Sequence, residues 1–182
     1  MAGSNIAAPA FAAALGEGAD WAEAAKTCLH ALDPVPGANL GFLYVTDALA
    51  DHLSSITTLF RGVTGVDAWV GTVGIGICGT GREVADRPAV SAMIGRFPDG
   101  AVRLIPSLTD GMGPVDRHLG TWLAVNPPVL GLIHADPRNR RLEDMVPDLA
   151  ERTGAYLVGG LSSSRSLFPQ VAGRPAEDGV SG

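Results

Sequence analysis

The chain predicts an α/β fold, a mixed β-sheet with helices packed against it, and three observations lead there. First, Gly41-Phe-Leu-Tyr-Val-Thr-Asp47 and Gly131-Leu-Ile-His-Ala-Asp136 are apolar runs that each close on an aspartate. Second, each run leads into a segment with helical spacing of apolar residues, then a Gly turn, then another apolar run: Ala68-Trp-Val-Gly-Thr72 in one case and Ala155-Tyr-Leu-Val-Gly-Gly160 in the other. Third, the intervals match, with 24 residues from Asp47 to Gly71 and 23 from Asp136 to Gly159. A strand, a crossover helix and a second strand in that order form a strand–helix–strand unit. Two such units place Gly-rich loops at strand ends, where α/β sheets tend to bind small molecules.

Taken in order, residues 1–19 form an Ala-rich segment expected to be flexible, and 20–182 form one ligand-binding domain. Asp20-Trp-Ala-Glu23 predicts a helix start, with Asp20 as N-cap and Glu23 three residues on. Trp21, Ala24, Ala25, Cys28, Leu29 and Leu32 then fall on one face, and Asp33-Pro34 ends the helix. On this pattern Cys28 is a core residue and His30 faces solvent. The second helix follows Asp47, with Leu49, Leu53, Ile56 and Phe60 on its buried stripe and Gly62 as its stop. A third lies within 139–152, carrying Leu142, Met145, Val146 and Leu149; Pro147 makes it kinked or late-starting. Asp47 and Asp136 are expected to cap the helices after them. Between the units, 90–97 and 101–105 around Pro98-Asp99-Gly100 predict a hairpin. The Gly-, Pro- and Asp-rich stretch from Pro106 to Pro128 is too long for a structureless loop and should cover a site, with Trp122-Leu-Ala-Val125 as one more strand.

Composition excludes several classes. At 182 residues and 46% hydrophobic content the chain can build one real core. A net charge of −6 argues against nucleic acid. Lys26 is the one lysine, and among the twelve arginines only Arg138, Arg140 and Arg141 cluster, as a solvated helix start beside Asp136, Glu143 and Asp144. No apolar run reaches the roughly 18 residues of a membrane span, and Met1–Leu15 has no basic region of the kind that opens a signal peptide. Two cysteines, Cys28 and Cys78, fit free thiols in a reducing cytoplasm.

Motifs weaken on inspection. Gly74-Ile-Gly76-Ile-Cys-Gly79 matches G-x-G-x-x-G, but Pro88 arrives too soon for the helix that would hold a pyrophosphate. Gly160-Leu-Ser162-Ser-Ser164 lacks the last glycine of a nucleophile elbow and has no helix after it. An esterase-like hydrolase using Ser162 is therefore an alternative and not the leading reading. The histidines are too scattered for zinc, and Cys78 is expected to be a buried thiol.

The order of these elements resembles the N-terminal half of the FIST family (F-box and intracellular signal transduction proteins). The resemblance runs through Trp21-Ala-Glu-Ala-Ala25, Leu43-Tyr-Val-Thr-Asp47, Val70-Gly-Thr-Val-Gly74 with Cys78-Gly79, Ile133-His-Ala-Asp-Pro137, Tyr156-Leu-Val-Gly-Gly-Leu-Ser-Ser163 and Gln170-Val-Ala-Gly173. It implies a cytoplasmic, non-catalytic sensory domain that binds a small molecule, an amino acid or related metabolite, and signals through a separate protein such as a histidine kinase. Some bacterial members bind haem and respond to nitric oxide. That alternative would use His134, His118 or His52 as axial ligand; otherwise no cofactor or metal is expected. The family continues into a second half that the chain is expected to lack. From loop position, the ligand-binding residues are expected to be Gly71, Thr72 and Cys78 in one loop and Gly159, Gly160, Ser162 and Arg165 in the other. Ser162 would supply a hydrogen bond and Arg165 would pair with a carboxylate.

Overall fold

The computed structural model describes residues 10–182. Its first element is already a departure from expectation. Phe11–Glu17, within the segment expected to be flexible, forms strand β1, paired antiparallel with β6 (Ala89–Gly95). The rest of that expectation, residues 1–9, lies outside the described residues. Helix α1 (Trp21–Ala31) starts as predicted: Asp20 accepts from the Glu23 N–H at 2.9 Å, and the Glu23 carboxylate accepts from the Ala19 N–H at 2.7 Å. The first bond satisfies an amide that the first turn leaves free, and the second ties down the residue before the cap. Cys28 is fully buried and His30 exposed, as its helical face requires.

Both strand–helix–strand units form. The first is β2 (Leu40–Thr46), a 3-10 segment at Asp47–His52, α2 (Leu53–Thr64) and β3 (Trp69–Gly74), with β2 and β3 parallel. The second is β7 (Leu130–Ala135), α4 (Leu142–Thr153) and β8 (Tyr156–Leu161), again parallel. Leu49, Leu53, Ile56 and Phe60 are buried as predicted, but the helix passes Gly62 and stops at Gly65, whose φ of 71° makes it the left-handed cap. Gly154 ends α4 in the same way at φ 68°. The late start of α4 leaves Pro147 within its second turn.

The expected hairpin at 90–105 does not form. Strand β6 has both edges occupied, by β1 and β2, so 101–105 cannot pair with it. That segment crosses to the chain end instead, where Ile105 and Gly182 exchange backbone hydrogen bonds. The hairpin of the fold is β4 (Gly76–Gly79) with β5 (Arg82–Ala85), which puts Gly76 and Gly79 in a β-ribbon and Gly74 at the end of β3, and none of them in a phosphate loop. The expected strand at Trp122 is the last turn of helix α3 (Gly113–Leu123). Pro114 begins that helix, and Val115, Leu119 and Trp122 share its inner face.

Strands β9 (Gln170–Ala172) and β10 (Arg174–Ala176) complete a six-stranded sheet of order β1-β6-β2-β3-β9-β10, while β11 (Val180–Ser181), β7 and β8 form a three-stranded one. Each sheet has its own helices. Leu43, Val45, Trp69 and Val73 pack with α1 and α2, and Ile133 and Ala135 pack with α3 and α4. Side chains alternate across a strand, so Phe42, Tyr44, Val70 and Thr72 turn towards the space between the sheets, as do Leu132 and His134. The layers run helix, sheet, sheet, helix.

Candidate functional site

The two units meet through equivalent residues. Tyr44 in β2 and His134 in β7 hold the same place in the repeat, and the Tyr44 hydroxyl lies 3.1 Å from His134 Nε2, with the rings edge to face at 5.4 Å. Across the large sheet, Ser91, Tyr44, Thr72 and Gln170 stand side by side in register, giving one polar row on the inner face. Gln170 Nε2 donates to Ser162 Oγ at 3.3 Å, and Thr72 Oγ1 donates to the Pro169 carbonyl at 3.0 Å. The 2.6 Å contact between Ser162 and Thr72 therefore has Ser162 as donor. His134 Nδ1, Gln170 Oε1 and Ser181 Oγ are buried with no protein partner. Burial pushes the His134 imidazole down to about 4 and raises the Tyr44 phenol, so both are neutral at pH 7.

The two loops expected to form a site do come together. The Ser163 N–H donates to the Val73 carbonyl at 3.2 Å, and Ser163 Oγ accepts from the Ile75 N–H at 3.1 Å. Gly71 and Gly159 serve the strand pairing itself. A Cβ on either would sit 1.7 Å from a backbone oxygen of the neighbouring strand, Leu43 for one and Ile133 for the other. Gly160 is exposed, with open space around it. Cys78 is exposed on β4, contrary to the expected buried thiol, while its carbonyl accepts from Ser91 Oγ at 2.9 Å. The Arg165 backbone N–H donates to Asp47 at 3.1 Å, and its guanidinium bonds both Asp47 and Asp86.

Neither aspartate caps a helix, which corrects that expectation. Asp47 is held by Arg165, whereas Asp136, fully buried, accepts from the N–H groups of Arg138 and Asp178, each at 2.9 Å, and from the Arg138 guanidinium. Burial works to raise the Asp136 carboxyl, but these donors overcome it and hold the group below the usual carboxylate range. Arg138 also pairs with Glu177 and covers the Phe168 ring at 4.8 Å, so one member of the arginine cluster, though exposed as expected, is a structural tie as well. Asn139, which the sequence reading passed over, is buried and bonds the Thr109 and Asp178 carbonyls. An Asp and an Asn just after a strand are side chains that bond their own turn, and that signal marks both residues.

A cavity of about 760 Å³ lies towards the other end of the strands. Phe42 and Val70 line it from the large sheet, Leu132 and Val158 from the small one, with Leu119 and Trp122 of α3, the 100–105 segment and the 125–130 loop closing the rest. None of Gly71, Thr72, Cys78, Gly159, Gly160, Ser162 and Arg165 lines it. The stretch from Pro106 to Pro128 thus covers a cavity as expected of its length, but as a helix. Trp122 Nε1 donates to the Gly100 carbonyl at 2.8 Å and fixes the rim.

The haem reading finds no support in these residues. The cavity lining holds no histidine, cysteine, methionine or tyrosine, the side chains that ligate haem iron. His134 is taken up by Tyr44, His52 stacks on Trp21 at 5.7 Å on the surface, and His118 is exposed on α3. Among the described residues no group of three potential metal ligands occurs. Ser162 is buried and, among the described residues, no histidine hydrogen-bonds its hydroxyl, so the arrangement needed to activate a serine is missing from the esterase reading.

Two stacked strand–helix–strand units enclosing a cavity define an α/β domain of the sandwiched-sheet kind. Residues 39–182 match the FIST N domain, and the chain belongs to that family, a family of sensory domains associated with signal transduction. No curated protein matches the chain. Among the described residues no helix is long and apolar enough to cross a membrane.

Proposed function

We propose that this domain is the non-catalytic sensory part of a cytoplasmic signalling system and that it binds a small metabolite in the cavity between its sheets. The observation that carries this reading is the pair of walls. One comes from each repeated unit, so an occupant would touch both sheets at once and bias how they sit together. Two free thiols, Cys28 and Cys78, accord with a reducing compartment. The output would pass to a separate signalling protein, of which a histidine kinase is the type implied by the family.

An amino acid held by the Gly-rich loops is the second form of the reading. There Thr72 and Ser162 would have to exchange their mutual bond for the ligand, and Arg165 would have to leave Asp47 and Asp86. The cavity asks for no such exchange, and it is the site we favour. Thermal shift against a metabolite panel tests it. A ligand at a hundred times its Kd should stabilise the fold by about 2.7 kcal/mol, and Leu132→Trp, which fills the cavity, should remove the shift. A shift that survives in a folded Leu132→Trp protein but is lost in Ser162→Ala would move the site to the loops.

A further inference from the structure

The cavity is apolar nearly throughout, yet one ionised side chain stands in its lining. Arg103 is the single charged residue among those that bound it, and no acidic side chain joins them. Its guanidinium lies 5.7 Å from the Trp122 ring centre and donates to its own neighbour's carbonyl, Val102, at 2.9 Å. Among the described residues it makes no ion pair, and it is exposed, so its head is free to meet an incoming group. A solvated guanidinium with no carboxylate bonded to it, at the edge of an apolar space, is a signal for an anionic head group, which would displace only water there. The apolar side has its own: Val125, Val129 and Leu130 around the mouth are 75%, 87% and 59% exposed. Exposed apolar surface gathered around a concave site marks a binding region.

We infer that the cavity takes an amphipathic carboxylate, its apolar body between the sheets and its head group on Arg103, the simplest such ligand being a medium-chain fatty acid. A guanidinium bonds a carboxylate through two parallel N–H groups, and the Trp122 ring beside Arg103 gives the ligand's chain an apolar surface next to that head group. A free amino acid fits less well, since its ammonium would enter a lining with no acidic side chain to receive it. This inference rests on the cavity being the sensory site.

The test titrates the full chain, below micelle-forming concentrations, with dodecanoate, dodecanol, dodecyltrimethylammonium and phenylalanine, followed by calorimetry and tryptophan fluorescence. Dodecanoate should bind at least tenfold more tightly than dodecanol, and dodecyltrimethylammonium most weakly. Arg103→Leu should bring dodecanoate down to the dodecanol level, with Arg103→Lys between. Leu132→Trp should abolish binding, and Val158→Trp repeats that block from an exposed strand should the first variant fail to fold. Equal affinity for the three twelve-carbon probes, or indifference to Arg103→Leu, overturns the inference. Binding of phenylalanine without dodecanoate overturns it while leaving the sensory reading intact, and silence of every probe overturns it too, the sensory reading then standing or falling on the metabolite panel alone. A ligand-independent dimer dispersed by Leu132→Trp would put a second copy in the groove and also overturn it.

Discussion

In the first strand–helix–strand unit, β3 runs between β2 and β9, and all of Trp69–Val73 is buried. In the second, β8 pairs with β7 alone, and five of its six residues are exposed. The local designs match closely. Gly41 makes room for the Trp69 ring and Gly131 for the Leu157 side chain; Gly71 and Gly159 let the strands approach; Gly65 and Gly154 end the helices. What differs is the neighbourhood. The six-stranded sheet flanks its unit on both sides, while the three-stranded sheet leaves an open edge with Tyr156 and Leu161 at 73% and 61% exposure. One backbone plan thus serves an inner, buried strand in one place and an exposed edge strand in the other.

Substitutions at equivalent positions can break or sharpen this contrast. The largest effect is expected at Gly71→Ala, where a Cβ meets a backbone oxygen inside a sheet that cannot shift, at about 4–5 kcal/mol. Gly159→Ala faces the same contact on an edge strand free to move, and should cost roughly half as much by urea denaturation; equal losses would mean that β8 is held as firmly as β3. Next comes the helix core. Phe60→Ala removes a buried ring packed edge to face on Trp69 and should cost about 3–5 kcal/mol, against about 2–4 for the equivalent Leu149→Ala.

The junction between units gives a pH signature. His134 has its folded value pushed down to about 4 from an ordinary 6.5, so between those values the unfolded chain binds a proton that the folded chain refuses. Stability should be full above pH 6.5 and fall as the pH drops towards 4, by about 3 kcal/mol in all. Asp136, held low by its donors, adds a further loss only at more acidic pH. His134→Gln should flatten the first phase of the curve; an unchanged slope would mean that the imidazole is protonated in the folded protein. The smallest effect is the internal control. Gly65→Ala and Gly154→Ala add a Cβ that meets nothing within 4 Å, so each should cost about 1 kcal/mol for its left-handed φ alone, equally in both units. A marked inequality would locate part of the contrast in the helices.

The sequence by itself determined the two repeated units, the Asp20 capping box and the buried helix stripes. Each rests on residues within one turn or one strand, where periodicity and capping chemistry act over a few positions. The loops at 71–79 and 159–165, expected to share a site, do meet through Ser163, but each unit fixes only its own parallel pair, and the two pairs lie in different sheets. The sequence misplaced the hairpin and the Trp122 segment. Which edge β6 offers depends on β1 and β2, and the glycines and prolines around α3 hid a short helical stripe. Only the tertiary structure decided that Thr72 and Ser162 satisfy each other, that Arg165 is tied to Asp47 and Asp86, and that Arg103 stands unpaired beside an apolar cavity. Those outcomes join residues far apart in the chain, and no local pattern carries the distance between two sheets.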